Sequence, residues 1–263
     1  MIAPLFYEVI PEQPMKALMT AVAPRYDALI QARGRLGVPT GIHEIDQDWG
    51  GLKPKQMIVL AGESNAGKST IALNFLNAAL DKNIGVALFS IEMDCDEIAD
   101  FLIALNGHVN RNHFNTGYFT PDELTAIATV TARLCRAPLF IDDSPTLTCG
   151  QIRERTLALV EEKRIGLVVV DYAQIVSPEN ALEPREQQVA KVARALKALA
   201  KEASVPVLVL SQLNDEGKLR ESRVLAHEAH IVALVENADD ELQLRICKGR
   251  RVPKKTYELE YEP

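Results

Sequence analysis

The chain has 263 residues, a formal net charge of −7 and a hydrophobic fraction of 47%. This length suits one large domain with a small appendage, and the apolar content is ample for a packed core. The acidic balance excludes a global field that attracts nucleic acid, so any such contact requires a local basic patch. No apolar run is long enough to cross a bilayer and no secretory leader is recognisable, so we expect a soluble, cytoplasmic protein without membrane contact. Its four cysteines are scattered, which predicts reduced, partly buried thiols.

Two regions are expected: an N-terminal arm and helix at 1–36, and the main domain at 37–263. Residues 1–14 contain prolines without a period, whereas 15–32 have apolar residues at helical spacing. A flexible, glycine-containing segment follows this helix. An amphipathic helix needs a surface on which to bury its apolar face. That surface is either its own domain or a neighbouring subunit, and the residues alone favour neither.

Strands and helices alternate along most of the remaining chain. After a short helix that ends near Trp49, strands are predicted at 57–61, 85–90, 138–141, 166–170 and 206–211. The helices between and after them are predicted at 68–80, 96–106, 121–135, 150–163 and 186–203. Continuous apolar strands that alternate with helices are typical of an α/β fold with a parallel twisted sheet covered on both faces. Strands at 231–235, 242–247 and 256–260 follow without predicted helices between them, which indicates an antiparallel extension.

A phosphate-binding loop is predicted between the first strand and the helix that follows it. The sequence has the pattern G-x-x-x-x-G-K-S, formed by Gly62, Glu63, Ser64, Asn65, Ala66, Gly67, Lys68 and Ser69. Its glycines let the backbone approach phosphates, and its amides form an anion nest at a helix N-terminus, which includes Thr70. Lys68 would reach the β- and γ-phosphates, and the Ser69 hydroxyl would bind Mg²⁺. The alternative is a turn with a chance lysine, which the flanking strand and helix disfavour.

Polar side chains follow the other strands at their carboxyl ends, where open α/β sheets bind ligands. Asp171 follows an apolar strand and is predicted to hold Mg²⁺. Glu92 is our candidate for activating the attacking water. Asp142 and Asp143 are alternatives, although Asp143 with the following Ser-Pro is more typical of a turn. Gln212, after the fifth strand, could bond the γ-phosphate or the attacking water.

The segment 245–255 is basic and contains no acidic residue. It is a solvated strand, a patch for a phosphodiester backbone, or a source of cations for another subunit. Lys248 and Arg250 are two residues apart on a predicted strand, so their side chains project to the same face. Because Lys68 already serves the chain's own loop, a neighbour's triphosphate is the favoured target of this pair.

The whole set of motifs resembles the RecA-type motor domain of DnaB-like replicative helicases, over about 37–259. Beyond the P-loop, the matching stretches include 89–93, 141–145, 170–174, 211–214, 219–222 and 248–250. The resemblance implies a RecA-like P-loop NTPase core that uses ATP and Mg²⁺. It also implies a homo-oligomer, a ring of six subunits, which translocates 5′ to 3′ on single-stranded DNA and unwinds duplex. A helicase loader or a primase is a possible partner.

The resemblance also implies roles for individual residues. Glu92 matches the catalytic glutamate, Asp171 the Walker-B aspartate and Gln212 the γ-phosphate sensor. Lys248 and Arg250 match the basic pair that enters the neighbour's ATP site. The helix at 15–32 matches the linker helix that docks on the adjacent subunit.

A DNA-contacting loop is implied at Arg220, Glu221 and Ser222, to which we add Arg223. This sequence departs from the family because 214–219 is short, Arg223 stands where glycine is usual, and His230 replaces an acid. The family's helical N-terminal domain does not precede the motor here, so we expect a minimal phage or mobile-element helicase, acting in the host cytoplasm if viral. A RecA-type recombination or repair ATPase and a non-unwinding NTP-dependent loader are the alternatives.

Overall fold

One sheet of eight strands runs through the computed structural model, which describes residues 24, 26–27, 29–31, 36–163, 165–171, 183–213, 223–238, 241–249 and 251–259. The strands are β1 (Met57–Gly62), β2 (Gly85–Ser90), β3 (Leu139–Asp142), β4 (Ile165–Asp171), β5 (Val207–Gln212), β6 (Ile231–Ala238), β7 (Glu241–Gly249) and β8 (Thr256–Leu259). Their order is β3-β2-β4-β5-β1-β6-β7-β8. All pairs from β3 to β6 are parallel, and β7 and β8 add antiparallel pairs. The carboxyl ends of six strands therefore share one edge of the sheet.

Helices cover both faces of this sheet. In the described ranges they are α1 (His43–Trp49), α2 (Lys68–Asp81), α3 (Cys95–Gly107), α4 (Arg111–Thr116), α5 (Pro121–Leu134), α6 (Cys149–Lys163), α7 (Arg185–Glu202) and α8 (Arg223–Glu228). Among them, none combines the length and apolar character that crossing a bilayer requires. Residues 24, 26–27 and 29–31 are also helical, with Tyr26 and Ile30 exposed. The rest of the predicted helix at 15–32 lies outside the described residues.

Two apolar clusters form the core, one on each face of the sheet. Strand residues such as Leu60 and Val169 pack with α1, α2 and α3, whereas Val59 and Val168 pack with α6, α7 and α8. Successive strand residues point to opposite faces, so a strand buried on both sides must be apolar at every position. This requirement explains the continuous apolar runs in the sequence.

The predicted α/β fold is confirmed, and β1 to β5 and the helices α2, α3, α5, α6 and α7 begin and end within one residue of their predicted bounds, whereas β6 ends three residues beyond its predicted end. The extension differs from the prediction because β6 is parallel to β1, so antiparallel pairing begins one strand later. The prediction had no helix between β5 and β6. The connection contains α8, which gives the chain the crossover that parallel pairing needs.

Two short helices and one cysteine were wrongly assigned from the sequence. The pattern gave no signal for α4 or α8, since six residues are too few to show a helical period. The thiol of Cys135 is exposed rather than partly buried, whereas Cys95, Cys149 and Cys247 are partly buried as predicted.

Candidate functional site

The predicted P-loop joins β1 to the N-terminus of α2. Every residue of β1 is buried, so the chain reaches the loop from a fixed position. Gly67 has φ +92, a left-handed conformation that favours glycine, and a β-carbon there would lie 2.9 Å from Cδ1 of Leu242, so that side chain would have to shift. Within the described part of the chain, no side chain caps the N-terminus of α2. Its first amides are therefore available to an anion, and the helix dipole favours one there.

Lys68 is buried beneath this loop. Its ammonium donates a hydrogen bond to the carbonyl oxygen of Glu63, at 2.5 Å. Burial lowers the pKa of Lys68, whereas the carboxylates of Glu92 and Asp171 raise it. The loop thus holds a cation close to two acids, with a backbone carbonyl in the place that a phosphate oxygen could take.

The other predicted loop residues differ in exposure. Glu63, Ser64 and Asn65 are exposed, while Ala66 is buried and Thr70 is half-buried in the first turn of α2. Asn65 has a left-handed φ of +61, which asparagine tolerates better than most residues. The loop backbone is therefore open to solvent at its tip and fixed at both ends.

Asp171 ends β4 and faces the first turn of α2. Its Oδ2 accepts a hydrogen bond of 2.8 Å from the Ser69 hydroxyl, and its buried Oδ1 has no hydrogen-bond partner among the described residues. Burial raises the pKa of Asp171 to about 6, although the Ser69 hydrogen bond lowers it. A buried carboxylate oxygen without a partner is costly, and a hydroxyl beside it is a second hard oxygen ligand. The pair fits a divalent cation.

The Asp171 carboxylate and the Ser69 hydroxyl form a small donor set. In the ranges that the structure describes, no three His, Cys, Asp or Glu side chains group as a metal site. A set of two protein groups suits a metal that keeps several waters and also binds phosphate oxygens, as Mg²⁺ does. The donor set therefore fits the predicted ion.

Glu92 lies two residues beyond β2 and is exposed. The segment around it is held by Ser90, whose hydroxyl donates to the Met93 carbonyl at 2.7 Å and accepts from the Met93 amide at 3.2 Å. The Ile91 amide also bonds the backbone carbonyl of Asp171, at 2.9 Å. Glu92 acts electrostatically on both Lys68 and Asp171. A carboxylate on a braced segment, close to both charges, is well placed to hold a water.

Asp142 and Asp143 lie at the end of β3, and both accept hydrogen bonds from other groups of the chain. Asp142 accepts from the amide and hydroxyl of Ser144, at 3.2 and 2.6 Å, and pairs with Arg155. Asp143 accepts from the amide of Cys95, at 3.1 Å, at the start of α3. Hydrogen bonds from Cys95 lower the pKa of Asp143. The turn-initiating residue is thus Asp142 rather than Asp143, and Asp143 instead joins this loop to the start of α3.

Gln212 is the last residue of β5, directly opposite Gly62 in the parallel register. The amide of Leu213 bonds the Gly62 carbonyl at 3.0 Å, which ties this strand end to the P-loop. Gln212 therefore lies beside the start of the loop.

Strand order explains which of the predicted residues come together. The neighbouring strands β2, β4, β5 and β1 carry Glu92, Asp171, Gln212 and the P-loop at one edge. Strand β3 lies one position further out, at the margin of the sheet. The predicted convergence of five strand ends is thus found for four of them, and the acids of the fifth bond Ser144, Arg155 and the amide of Cys95 instead.

The basic segment is partly engaged within its own chain. Lys248 donates to the carbonyls of Ala226 and His227, at 2.8 and 2.7 Å, at the end of α8. A bulge in β7 places Lys248 opposite Val232 and away from the core face of Ile246. Arg250, Arg220, Glu221 and Ser222 lie outside the described residues, and Arg223 begins α8.

Sequence reasoning missed the contacts of two polar groups. Ser90 lies within the stretch 89–93, and its buried position at the end of an apolar strand is a signal for a local turn. Lys255 was counted only as part of a basic run. Its carboxylate partners Glu44 and Asp48 lie more than two hundred residues away in the chain, beyond the reach of local patterns.

Comparison with known proteins decides the family. A model of the DnaB-like helicase C terminal domain matches residues 37–263. The chain belongs to the DnaB-like helicase family. The replicative DNA helicase DnaB of Leifsonia xyli subsp. xyli is 37% identical over 247 residues, which cover 86% of this chain and 54% of that protein. Its namesake from Geobacillus stearothermophilus is 32% identical over 247 residues, with the same coverage.

Solved structures show the same fold as this DnaB-like domain. One solved ATPase domain superposes with a TM-score of 0.86 at 23% identity, covering 94% of this chain and 95% of that one. A DnaB-like replicative helicase, solved in a study of its interactions with primase, superposes with a TM-score of 0.82 at 24% identity. The match covers 94% of this chain and 64% of that one. The chain spans about half the length of the curated relatives named above.

The unpaired carboxylate yields a prediction about stability. Because burial raises the pKa of Asp171 to about 6, its ionised form destabilises the folded protein above that pH, by roughly 1–3 kcal/mol. Asp171→Asn should therefore raise the melting temperature at pH 7.5, measured with a chelator and without nucleotide. The difference should shrink at pH 5, where the native aspartate is protonated. If the variant melted below the native protein at both pH values, ionised Asp171 would not be destabilising the folded protein.

Proposed function

We propose that this chain is the ATP-hydrolysing motor of a ring-forming replicative DNA helicase, which translocates 5′ to 3′ on single-stranded DNA and unwinds duplex. One observation supports this most strongly: four adjacent strand ends bring a P-loop, a buried acid, an exposed acid and an amide to one edge of a DnaB-like domain. The complete set of these groups favours a working ATPase over an inactive switch. Membership of the family favours a helicase over a recombination ATPase.

The P-loop and Lys68 are proposed to bind the triphosphate of ATP. Its β- and γ-phosphates would accept from the uncapped amides of α2 and would replace the Glu63 carbonyl as the partner of Lys68. Ser69 and Asp171 would hold Mg²⁺, which neutralises charge on the phosphates when bound. The orphaned Oδ1 of Asp171 supports this assignment.

Hydrolysis is proposed to depend on Glu92 and Gln212. Glu92 is exposed, braced on both sides and close to Lys68, so it can orient a water and accept its proton. Gln212 borders the start of the P-loop and can hydrogen-bond the γ-phosphate or the water. The engaged partners of Asp142 and Asp143 argue against either acting as the base.

The site is proposed to be completed by a neighbouring subunit. Within the described part of the segment 245–255, Arg245 pairs with Glu236 and Lys255 with two acids of α1. Lys248 bonds α8 in its own chain, so it must exchange partners to reach a neighbour. Arg250 is therefore our first choice for the residue that reaches the neighbour's ATP site as an arginine finger. Exposed Tyr26 and Ile30 on the N-terminal helix supply apolar surface for a subunit contact.

Single-stranded DNA is proposed to bind Arg220, Glu221, Ser222 and Arg223 inside such a ring. The net charge of −7 requires this contact to be local. A cytoplasmic location follows from this function. A primase or a helicase loader is a candidate partner, because the DnaB-like helicase studied with primase shares the fold.

The first prediction of this proposal concerns the base. Glu92→Gln should retain ATP binding and lower kcat by ~10²–10⁴-fold, because the amide cannot accept the proton of water. Steady-state ATPase and nucleotide binding measure the two effects. Asp143→Asn is the matched control and should hydrolyse ATP normally. If Glu92→Gln kept near-native turnover and a variant of Asp142 or Asp143 lost it, the general base would be an acid at the end of β3 instead.

The second prediction concerns the shared site. Arg250→Ala and Lys68→Ala should each be inactive, since an arginine finger is worth roughly 10³–10⁵ in rate. When the two variants are mixed, some interfaces combine an intact P-loop from one subunit with an intact Arg250 from the other. ATPase activity should therefore partly return. Arg251→Ala, one residue along, should stay active. If the variants co-assemble and activity does not return, Arg250 acts in the ATP site of its own chain or contacts only DNA.

The third prediction concerns nucleic acid. Single-stranded DNA should stimulate ATPase, and its affinity should fall with salt because phosphate contacts release counterions. Arg220→Glu should weaken DNA binding and flatten the salt dependence, while Arg136→Glu, exposed just after α5, should change neither. Unchanged affinity in Arg220→Glu would exclude this loop.

A further inference from the structure

Helix α8 is anchored on one face of the sheet. Leu225 and Ala229 are buried in the same apolar cluster as Val59, and the amide of Ala229 bonds the Leu225 carbonyl at 2.9 Å. Glu228 pairs with Lys197 of α7 at 2.7 Å, and this contact lowers the pKa of Glu228. Burial and α7 therefore keep α8 in place.

The carboxyl end of α8 receives a cation from β7. The last carbonyls of a helix have no partner within that helix, and the helix dipole places negative charge there. The Lys248 ammonium donates to the carbonyls of Ala226 and His227, at 2.8 and 2.7 Å. Lys248 thus caps the last turn of α8.

A bulge in β7 decides which helix Lys248 meets. In a regular strand, Lys248 would point to the same face as Ile246, which lies in the cluster that contains residues of α1 and α2. The register between β7 and β6 shifts, however, at the positions that pair with Val232 and Ala233. Lys248 is opposite Val232, which belongs to the cluster of α8. The bulge therefore turns the Lys248 side chain toward α8.

The same ammonium has a second candidate partner. In the proposed shared site, Lys248 is one of two basic residues that would enter the neighbour's ATP site. An ammonium is attracted more strongly to a charged phosphate than to a neutral carbonyl. A triphosphate bound to the neighbour would therefore compete with the end of α8 for Lys248.

We propose that Lys248 links the nucleotide state of one subunit to helix α8 of the next. It caps α8 when the neighbour's site is empty, and it leaves α8 for the triphosphate when that site is filled. The inference rests on the proposed function, because it needs the site to be shared. Since α8 begins at Arg223, the last residue of the proposed DNA contact, the helix that responds is also the one that follows this contact.

Hydrogen exchange of the amides at 227–229, which close the last turn of α8, tests the proposal in the assembled full chain. A non-hydrolysable ATP analogue with Mg²⁺ should speed their exchange by roughly fivefold, the lower end of common coupling factors, because other contacts still hold α8. Lys248→Met should exchange at the faster rate with and without the analogue, and Lys248→Arg should retain a response. Lys201→Met, which changes an exposed lysine of α7, is the matched control and should respond as the native protein does.

Mixed assemblies identify the subunit from which the signal comes. Native subunits are mixed with isotope-labelled Lys68→Ala subunits, at an analogue concentration that only the native subunits bind. Exchange should become faster in α8 of the labelled subunits, which hold no analogue but have native neighbours. This response should disappear when the labelled subunits also carry Lys248→Met. A response confined to the native subunits, or no response, would overturn the proposal, and the first mixture requires no change at Lys248.

The proposed link and the shared site fail in different ways. If α8 of the labelled subunits does not respond, while the mixture of Arg250→Ala and Lys68→Ala regains ATPase, the shared site stands and the link through Lys248 is wrong. If that mixture also stays inactive, the shared site itself is wrong.

Discussion

Two buried charges set the requirements for the rest of the structure: Lys68, at the start of α2 after the P-loop, and Asp171, at the end of β4. Lys68 bonds a backbone carbonyl, and Asp171 bonds one hydroxyl while its second oxygen has no partner in the described part of the chain. Charges held away from water with incomplete partners destabilise a protein. The strands that precede these charges, β1 and β4, offset that cost through apolar packing on both faces of the sheet. The stability of the sheet therefore offsets the cost of charged groups whose partners are incomplete, and in our proposal phosphate and metal would supply the missing partners.

The order of the strands brings these two charged groups close to the other candidate site residues. Because β4 and β5 insert between β2 and β1, residues from distant parts of the chain meet on four adjacent strand ends. Hydrogen bonds of Ser90 and Leu213 then fix the segments that carry Glu92 and Gln212. Strand β3 lies outside this group of neighbouring strands, and its acids bond the loop that follows it and the start of α3. Topology thus decides which carboxylates are available for chemistry.

Most of the fold and the centre of the site could be predicted because their signals are local. The P-loop is one continuous pattern, and Asp171 ends an apolar run that only a buried strand explains. The parallel pairing of β6 depends on α8, which is too short to show a period. The contact of Lys248 with α8 depends on a bulge in β7. The ion pair of Lys255 depends on Glu44, which lies near the other end of the domain. Contacts between distant segments cannot be obtained from spacing alone.

The central claim is that one chain supplies the P-loop and another completes the site. Electron microscopy of the full chain with a non-hydrolysable ATP analogue, Mg²⁺ and single-stranded DNA tests it most directly. The account predicts closed rings in which the turn after β7 of each subunit contacts the triphosphate on its neighbour's P-loop, with DNA in the central channel. Filaments, or isolated subunits whose nucleotide is enclosed by a single chain, would contradict it.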